Sequence, residues 1–267
     1  MTGADSSSAD ADAYVAFLDQ QAAVFEGQRR AGLARLDLRP GDAVLDAGCG
    51  PGTDSFEIES FVLPGGRVVG VDVNGSMIEV ARRRAEARQS VVEFSIGDVC
   101  RLDYCDDTFD VVRCVLLLLH VDDPEAAVLE MVRVLRPGGR LVCIDVDHQM
   151  DAIDATNLPL AERILRGRFE GLRNPRIGRQ LRGLLAGAGL AEVDVEVLTQ
   201  VSTSWADFNA LSGEHRPTIF DFAVGSGVAS AEEVEALEGD LRTRDSQGRF
   251  FACALRMRAT GTKPASS

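Results

Sequence analysis

Apolar runs alternate with amphipathic stretches through the first 146 residues of the chain. Short runs rich in Val, Ile and Leu predict strands at residues 42–48, 66–73, 91–98, 109–118 and 139–146. The stretches between them have apolar residues at helical spacing, at 53–62, 76–89 and 124–135. Continuous apolar strands joined by helices are typical of a parallel sheet covered on both faces. The pattern therefore predicts a doubly wound, Rossmann-like α/β fold with its ligand beyond the carboxyl ends of the strands.

The regular alternation loosens after residue 146. A helix is predicted at 177–190, followed by strands at 191–201 and 248–259 that alternate apolar and polar residues. The long segment between those two strands is expected to be a lid or a substrate wall. It carries large aromatic side chains that suit either an apolar acceptor pocket or the core of the lid itself: Trp205, Phe208, Phe220 and Phe222.

The length of 267 residues suits one large α/β domain, and no linker divides the chain. We expect this domain to span residues 13–260, with the lid or substrate insertion at about 200–247. Residues 1–12 and 261–267 are small and polar and are expected to be disordered tails. An N-terminal helical segment follows the first tail. Its Tyr14 and Phe17 are expected to pack in the core or to close over a ligand.

The composition narrows the classes of partner. The chain has 42 acidic and 28 basic residues and a formal charge of -14, which argues against nucleic acid or membrane as its main partner. No basic stretch followed by an apolar one opens the chain, and the longest apolar run, residues 115–121, is too short for a bilayer, so a cytoplasmic protein is predicted. Six cysteines without a C-x-x-C pair and three scattered histidines predict no metal site.

A glycine-rich loop, "DAGCGPGTD" at residues 46–54, follows the first predicted strand. Gly48, Gly50 and Gly52 lie where that strand turns into a helix, so backbone N–H groups can face a bound anion. The dinucleotide fingerprint requires G-x-G-x-x-G, and Thr53 occupies the position of its third glycine. No Gly-Lys-Ser/Thr follows, which excludes a P-loop. The loop alone is a weak signal of a nucleotide-type ligand.

Carboxylates at the ends of three successive strands strengthen that signal. Asp46, Asp72 and Asp98 should all lie at one edge of the sheet. Asp72 can accept hydrogen bonds from both hydroxyls of a ribose, and Asp98 from the exocyclic amine of an adenine. A ligand with adenine, ribose, a small carboxylate and a positive charge suits this edge. S-adenosylmethionine is such a molecule, and we predict it as the cofactor.

The sequence resembles the class I S-adenosylmethionine-dependent methyltransferases over roughly residues 40–190. The resembling segments are "VLDAGCGPG", "VVGVDVNGSMIEVAR", "GDVCRLDYCDDTFDVVRC", "LHVDDPEAAVLEMVRVLRPGGRLV" and, more weakly, "RNPRIGRQLRGLLAGAGL". The resemblance is to the small-molecule branch, which includes the ubiquinone and menaquinone C-methyltransferases and many enzymes of secondary metabolism. It implies a seven-stranded sheet whose last strand, at 248–259, is antiparallel.

The resemblance also assigns residues to the methionine end of the cofactor. The three loop glycines would hold the methionine moiety, and Asp46 would support their loop. The end of the fourth strand, around Arg113 and Cys114, would line the amino-acid end.

At the other end of the cofactor, the resemblance places Asp72 on the ribose. Val73 and Met77 would pack near the adenine, and Asp98 with the Val99 backbone would read the adenine edge.

Methyl transfer from a sulfonium is an in-line displacement in which orientation supplies much of the catalysis, and some acceptors also need a general base. His148 and His120 follow the fifth and fourth strands and are the candidate catalytic residues. His120 could instead pack under the next helix. His148 has Asp147 and Asp151 nearby in "DVDHQMD". His215, in the insertion, is a weaker candidate.

The predicted activity is methylation of a small, apolar metabolite on oxygen, carbon or nitrogen. The same fold and cofactor also serve non-methylating cyclases and isomerases of natural-product pathways, and no sequence feature separates the two. An NAD-dependent oxidoreductase is disfavoured by Thr53, and a non-catalytic binding module stays open. The oligomeric state is also open, with a homodimer as one option.

Overall fold

The computed structural model describes residues 8–24, 26–169, 172–210 and 218–265. Strands and helices alternate as the sequence predicts. The strands are β1 Ala43–Ala47, β2 Arg67–Asp72, β3 Glu93–Ile96, β4 Phe109–Val115, β5 Leu135–Val146, β6 Ala152–Ile153, β7 Ala191–Ser202 and β8 Ala252–Thr262. The helices are α1 Ser8–Val24, α2 Glu26–Ala34, α3 Thr53–Val62, α4 Gly75–Arg88, α5 Pro124–Val134, α6 Leu158–Phe169, α7 Ile177–Gly187, α8 Trp205–Ala210, α9 Ile219–Gly225 and α10 Ala231–Ser246.

The described strands form one mostly parallel sheet in the order β3-β2-β1-β4-β5-β8-β6, with β7 paired to β8 as well. Strands β1 to β5 pair in parallel, and β8 is antiparallel to β5, β6 and β7. The doubly wound fold and the antiparallel last strand are thus confirmed.

The sheet differs from the prediction in its strand number, which is eight among the described residues instead of seven. The extra strand, β6, has only two residues. After β5 the chain makes a short 3-10 turn at His148–Met150, and Ala152–Ile153 then rejoins β8. Ala252 and Cys253 of β8 pair with β6 on one side and with β7 on the other. Strand β6 therefore lies on the same side of β8 as β5 and continues in line with it.

Strand β5 also begins earlier than predicted, at Leu135. Leu135 pairs with Phe109, and the next registered pair is Val111 with Arg140. The predicted turn around Gly138, whose φ is 79°, is therefore accommodated as a bulge within the strand.

Both faces of the sheet are covered by helices, because successive strand residues point to opposite sides. On one face Leu45 and Val112 pack with Met131 of α5 and Leu181 of α7. On the other face Val44 and Val111 pack among residues of α2, α3 and α4, namely Leu33, Ile58 and Ile78. The strand ends between these two layers are left to build a site.

The segment between β7 and β8 forms α8, α9 and α10, which pack with α6 into a separate apolar cluster, called here the helical cluster. Trp205 stacks on Phe220 with ring centroids 5.8 Å apart, and Phe208 packs beside both. These three rings are buried, whereas Phe222 is partly exposed. The sequence suited either an acceptor pocket or the core of the lid. Trp205, Phe208 and Phe220 pack in the core of the lid.

The ends of the chain differ from the expected tails. Helix α1 begins at Ser8, inside the segment 1–12, and β8 extends to Thr262, inside the segment 261–267. The strand is longer because Gly261 and Thr262 pair with β5, and Thr262 also with β7. None of the helices among the described residues is both long and apolar enough to cross a membrane.

Candidate active site

The glycine loop presents bare backbone at the carboxyl end of β1. Gly48, Gly50 and Gly52 have φ angles of 73°, 53° and 80°, a region that favours glycine. A Cβ on Gly48 would lie 2.8 Å from Leu117 Cδ1, and one on Gly52 would lie 2.7 Å from Phe94 Cζ. Neighbouring side chains therefore pack against the loop at Gly48 and Gly52, and a residue with a Cβ would clash at both positions.

Asp72, at the end of β2, is bonded directly to this loop. Its Oδ2 accepts from the Gly50 N–H at 2.9 Å, and its Oδ1 accepts from the Asn74 N–H at 2.8 Å. Burial raises the pKa of Asp72, and the two amides and the nearby His120 oppose that rise without cancelling it. Each carboxylate oxygen still has a second lone pair, so Asp72 can also accept from two hydroxyls.

Asp46 lies beneath the loop and is buried. Its carboxylate accepts from Ser55 Oγ at 2.6 Å and forms an ion pair with Arg113 at 3.1 Å. Arg113 also pairs with Asp54, the second residue of α3, at 2.6 Å, and Arg29 of α2 reaches the same carboxylate at 2.6 Å. These four alternating charges tie β1, β4, α2 and α3 together under the loop.

The pKa shifts in this network follow from burial and pairing. Burial raises the pKa of Asp46, and Arg113 opposes that rise only in part. Burial also acts on Asp54, but its two guanidinium partners outweigh it, so the pKa of Asp54 lies below its usual value. Asp46 is thus bound to the first turn of α3 and to β4, next to the loop that the resemblance expects it to support.

Arg113 and Cys114 are placed differently from the prediction, which had them lining the amino-acid end of the cofactor. Both side chains are buried. Arg113 is committed to Asp46 and Asp54, and Cys114 points to the opposite face of β4, into the core with Val112. The reason is the alternation of side chains along a strand, which turns only one of two neighbours toward the loop.

The predicted adenine end contains two accessible and two buried side chains. Val73 is 73% exposed directly after Asp72, and Asp98 is also exposed, with Oδ1 accepting from the Cys100 N–H at 2.9 Å. The side chains of Met77 and Val99 are buried. The structure therefore leaves Val73 and Asp98 accessible to a ligand, with Met77 and Val99 as support.

The sequence analysis missed Asn74, which it did not single out beside Asp72. It placed Ser76 near the start of the helix, but the N-cap of α4 is Asn74, whose side chain accepts from the Ser76 and Met77 N–H groups. An Asn before Gly75 at a helix start was the available signal. Asn74 fixes the turn whose amide holds Asp72.

Helix α1 lies over the glycine loop. Leu18 Cδ1 is 3.9 Å from the position of a Cβ on Gly50, and Asp19 pairs with Arg84 of α4 at 2.6 Å. Tyr14 and Phe17 stack with centroids 6.2 Å apart and are partly buried. The N-terminal helix therefore covers the middle of the loop.

His120 lies in the turn after β4 and is exposed, so it is not packed under α5. It is close enough to Asp72 to lower the pKa of that carboxyl. The structure thus brings one predicted catalytic residue near the Asp72 carboxylate. His215 lies outside the described residues.

His148 begins the turn after β5 and is held by two side chains. Its Nδ1 lies 2.8 Å from Asp151 Oδ2, and its ring stacks on Phe169 of α6 with centroids 3.5 Å apart and planes 4° apart. The Asp151 carboxylate also accepts from the Leu255 N–H of β8 at 3.3 Å. A neutral imidazole that donates from Nδ1 to Asp151 has Nε2 as its acceptor.

Comparisons with known proteins show the family of the chain. Residues 38–169 match the family described as "Methyltransferase domain". An uncharacterized methyltransferase of Schizosaccharomyces pombe is 32% identical over 234 residues, which cover 79% of this chain and 81% of that protein. The chain belongs to the class I S-adenosylmethionine-dependent methyltransferases. S-adenosylmethionine, the predicted cofactor, is the cofactor of this family.

Two further comparisons concern part of the chain and its fold. A demethylmenaquinone methyltransferase of Symbiobacterium thermophilum is 35% identical over 123 residues, 45% of this chain. The match covers 49% of that protein, so the chain spans about half the length of this relative. The YcgJ protein of Bacillus subtilis shares the fold, with a TM-score of 0.62 at 20% identity over 90% of this chain and 100% of that one. The predicted likeness to the small-molecule branch is confirmed.

The residues present fit the cofactor of this family. The bare backbone of the loop glycines lets a carboxylate approach the first turn of α3 closely, and Asp72 keeps lone pairs for a ribose. The exposed carboxylate of Asp98 suits an exocyclic amine. Arg113 is paired with both Asp46 and Asp54, so its charge is offset and the acidic edge stays open to a cationic ligand.

Proposed function

We propose that this protein transfers a methyl group from S-adenosylmethionine to a small, apolar metabolite, on oxygen, carbon or nitrogen. The observation that carries the proposal is the hydrogen bond between Gly50 and Asp72 at the bare glycine loop. It joins the part of the site suited to a methionine carboxylate to the part suited to a ribose. In a family of methyltransferases, that arrangement supports use of the cofactor as a methyl donor.

The cofactor side divides the binding work among chain groups. The N-terminal turn of α3 would hold the carboxylate, Asp72 the ribose hydroxyls, and Asp98 the adenine amine, with Val73 against the adenine face. S-adenosylmethionine, when bound, supplies an electrophilic methyl group on a sulfonium. The acidic edge formed by these residues favours its positive charge.

On the acceptor side, His148 is the proposed general base. Asp151 holds the proton on Nδ1, so Nε2 can take the proton that the acceptor loses. The acceptor, having given its proton to Nε2, would take the methyl group, and the carbon–sulfur bonding pair would stay with sulfur in S-adenosylhomocysteine. Phe169 fixes the plane of the imidazole through its stack. His120, beside Asp72, is the second candidate.

Exposed apolar side chains support an apolar acceptor. Met150, in the same turn as His148, is 42% exposed. Phe222 of α9 and Phe251, just before β8, are exposed on the elements that follow β7. The excess of acidic residues supports a metabolite over nucleic acid or membrane as the partner. We also propose a role in secondary metabolism.

A methyl-transfer assay tests the proposal. Formation of S-adenosylhomocysteine is followed with a panel of small phenols, hydroquinones, enolisable ketones and amines. We expect turnover with an apolar member, and a rate about 10²- to 10⁴-fold lower in His148→Gln. The Asp151→Asn variant should lose less, because it keeps the imidazole. Conversion of an acceptor without S-adenosylhomocysteine would favour a cyclase or isomerase, and cofactor binding without any turnover would favour a binding module.

A further inference from the structure

Residues 172–176 lie before α7, are called here the link, and contact the two turns that carry His120 and His148. Asn174 lies in this link and is partly buried. Its Nδ2 donates to the Leu118 carbonyl at 2.9 Å and to the Val121 carbonyl at 2.6 Å. Its backbone N–H donates to the Leu119 carbonyl at 3.2 Å. One residue thus supplies three hydrogen bonds to the turn that contains His120.

The next residue holds the other turn. The Pro175 carbonyl accepts from the His148 N–H at 3.0 Å. Two consecutive residues of one link are therefore bonded to both histidine-bearing turns. A displacement of the link would move His120 and His148 together.

The His120 turn is also held from the sheet side. The carboxyl group of Asp145, 1% exposed at the end of β5, accepts from the Leu119 N–H at 3.2 Å and from the Val146 N–H at 2.9 Å. Asp145 thus binds an amide of the turn, whereas Asn174 binds its carbonyls. Both hydrogens of the Asn174 amide group are used, so an aspartate there would put an oxygen against two carbonyl oxygens.

We infer that Asn174 is a positioning residue that sets His120 and His148 in one frame between the cofactor side and the acceptor side. The inference rests on the proposed function for the roles of the two histidines, while the coupling itself rests on the hydrogen bonds.

The test compares Asn174→Asp and Asn174→Ala with Asn157→Asp. Asn157 is an exposed residue before α6 whose Oδ1 accepts from the Leu160 N–H at 3.2 Å, and aspartate retains that acceptor. The chain has three histidines, so the imidazole Cε1–H resonances of the whole protein are few and can be assigned with His120→Gln and His148→Gln. Thermal unfolding and calorimetric titration with S-adenosylmethionine are measured on the same samples.

We expect the resonances of both His120 and His148 to shift in both Asn174 variants and in neither case in Asn157→Asp. The affinity for S-adenosylmethionine should fall about three- to tenfold, as for the loss of a typical hydrogen bond. Unchanged resonances in the folded variants, or a change in only one histidine, would overturn the inference. So would unfolding of both variants, because Asn174 would then be needed for the fold itself. Failure of the wild-type protein to bind S-adenosylmethionine would reject the proposed function, while the histidine spectra would still decide the coupling.

Discussion

The cofactor cleft and the helical cluster are built in opposite ways. In the cleft, the turns that follow adjacent parallel strands meet: Gly50 after β1 binds Asp72 at the end of β2, and Asn74 caps α4 two residues later. In the helical cluster, aromatic residues of α8 and α9 meet Phe250, just before β8, with no strand pairing to align them. The cleft follows from the strand-turn-helix pattern of the sequence, whereas the cluster does not. The comparison also predicts that the two regions fail separately.

The largest expected effect is in the helical cluster. Trp205 is 8% exposed, packs on Phe208, Phe220 and Phe250, and carries the Arg242 guanidinium 4.6 Å above its ring. We expect Trp205→Ala to lower the free energy of unfolding by about 3–5 kcal/mol, since it removes a large buried ring. Denaturant unfolding measures this loss. The affinity of the folded variant for S-adenosylmethionine should stay within about twofold of wild type, since a distant site adds independently.

The matched control in the cluster is Phe222→Ala. Phe222 is partly exposed, so its truncation should cost no more than about 1 kcal/mol. An equal loss in the two variants, or a large loss of cofactor affinity in Trp205→Ala, would show that the regions are not separable.

The second largest effect is expected at Asp145, at the end of β5. Burial raises the pKa of Asp145 to about 7, and three amide hydrogen bonds oppose the rise only in part. The folded state therefore keeps this proton up to about pH 7, while the unfolded chain releases it near its ordinary pKa of about 4. Stability should fall as pH rises between these values, by about 4 kcal/mol in total.

Asp145→Asn removes this titration and keeps an oxygen for the Leu119 N–H. We expect its unfolding free energy to be flatter than that of wild type between pH 4 and pH 7, measured by denaturant titration at each pH. Asp207→Asn, at an exposed site in α8, should follow the wild-type curve. Parallel curves for wild type and Asp145→Asn would contradict the assignment.

In the cofactor cleft, Asp72→Ala should weaken S-adenosylmethionine binding about 100-fold, because it removes charged acceptors from two hydroxyls and releases the Gly50 amide. Calorimetry checks this, with Asp207→Ala as an exposed aspartate control. Because burial raises the pKa of Asp72, the wild-type affinity should also decline on acidification at a higher pH than an ordinary carboxylate would cause. An Asp72→Ala variant that binds S-adenosylmethionine as well as wild type would show that Asp72 does not hold the ribose.

The smallest effect is expected at Asp98. Its side chain is exposed, so Asp98→Ala should cost about three- to tenfold in affinity for S-adenosylhomocysteine. The variant should also lose the preference for S-adenosylhomocysteine over its inosine analogue, which lacks the exocyclic amine. A preference retained in the variant would place the reading of the adenine edge elsewhere.

The predicted strands and α3 at 53–62 follow from apolar periodicity, which the sheet and helix faces impose directly. The glycine loop and Asp72 could be predicted from the sequence because each lies where a strand turns into a helix. The family and cofactor, expected from a resemblance over residues 40–190, are confirmed.

Other features depend on contacts far apart in the chain. Arg113 meets Asp54 across 59 residues and Asn174 meets Leu118 across 56, and neither contact has a periodic signal. The commitment of Arg113 to an ion-pair network and the support from Asn174 were therefore outside what the pattern predicts. The two-residue strand β6 is likewise too short for any period to show.

The most direct test of this account is calorimetric titration of the wild-type protein with S-adenosylmethionine, S-adenosylhomocysteine and NAD. The account predicts binding of the first two with similar, micromolar affinity and no measurable binding of NAD, since the loop ends at Thr53 where a dinucleotide site has glycine. Binding of NAD, or of none of the three, would contradict the assignment of the glycine loop and Asp72 to S-adenosylmethionine.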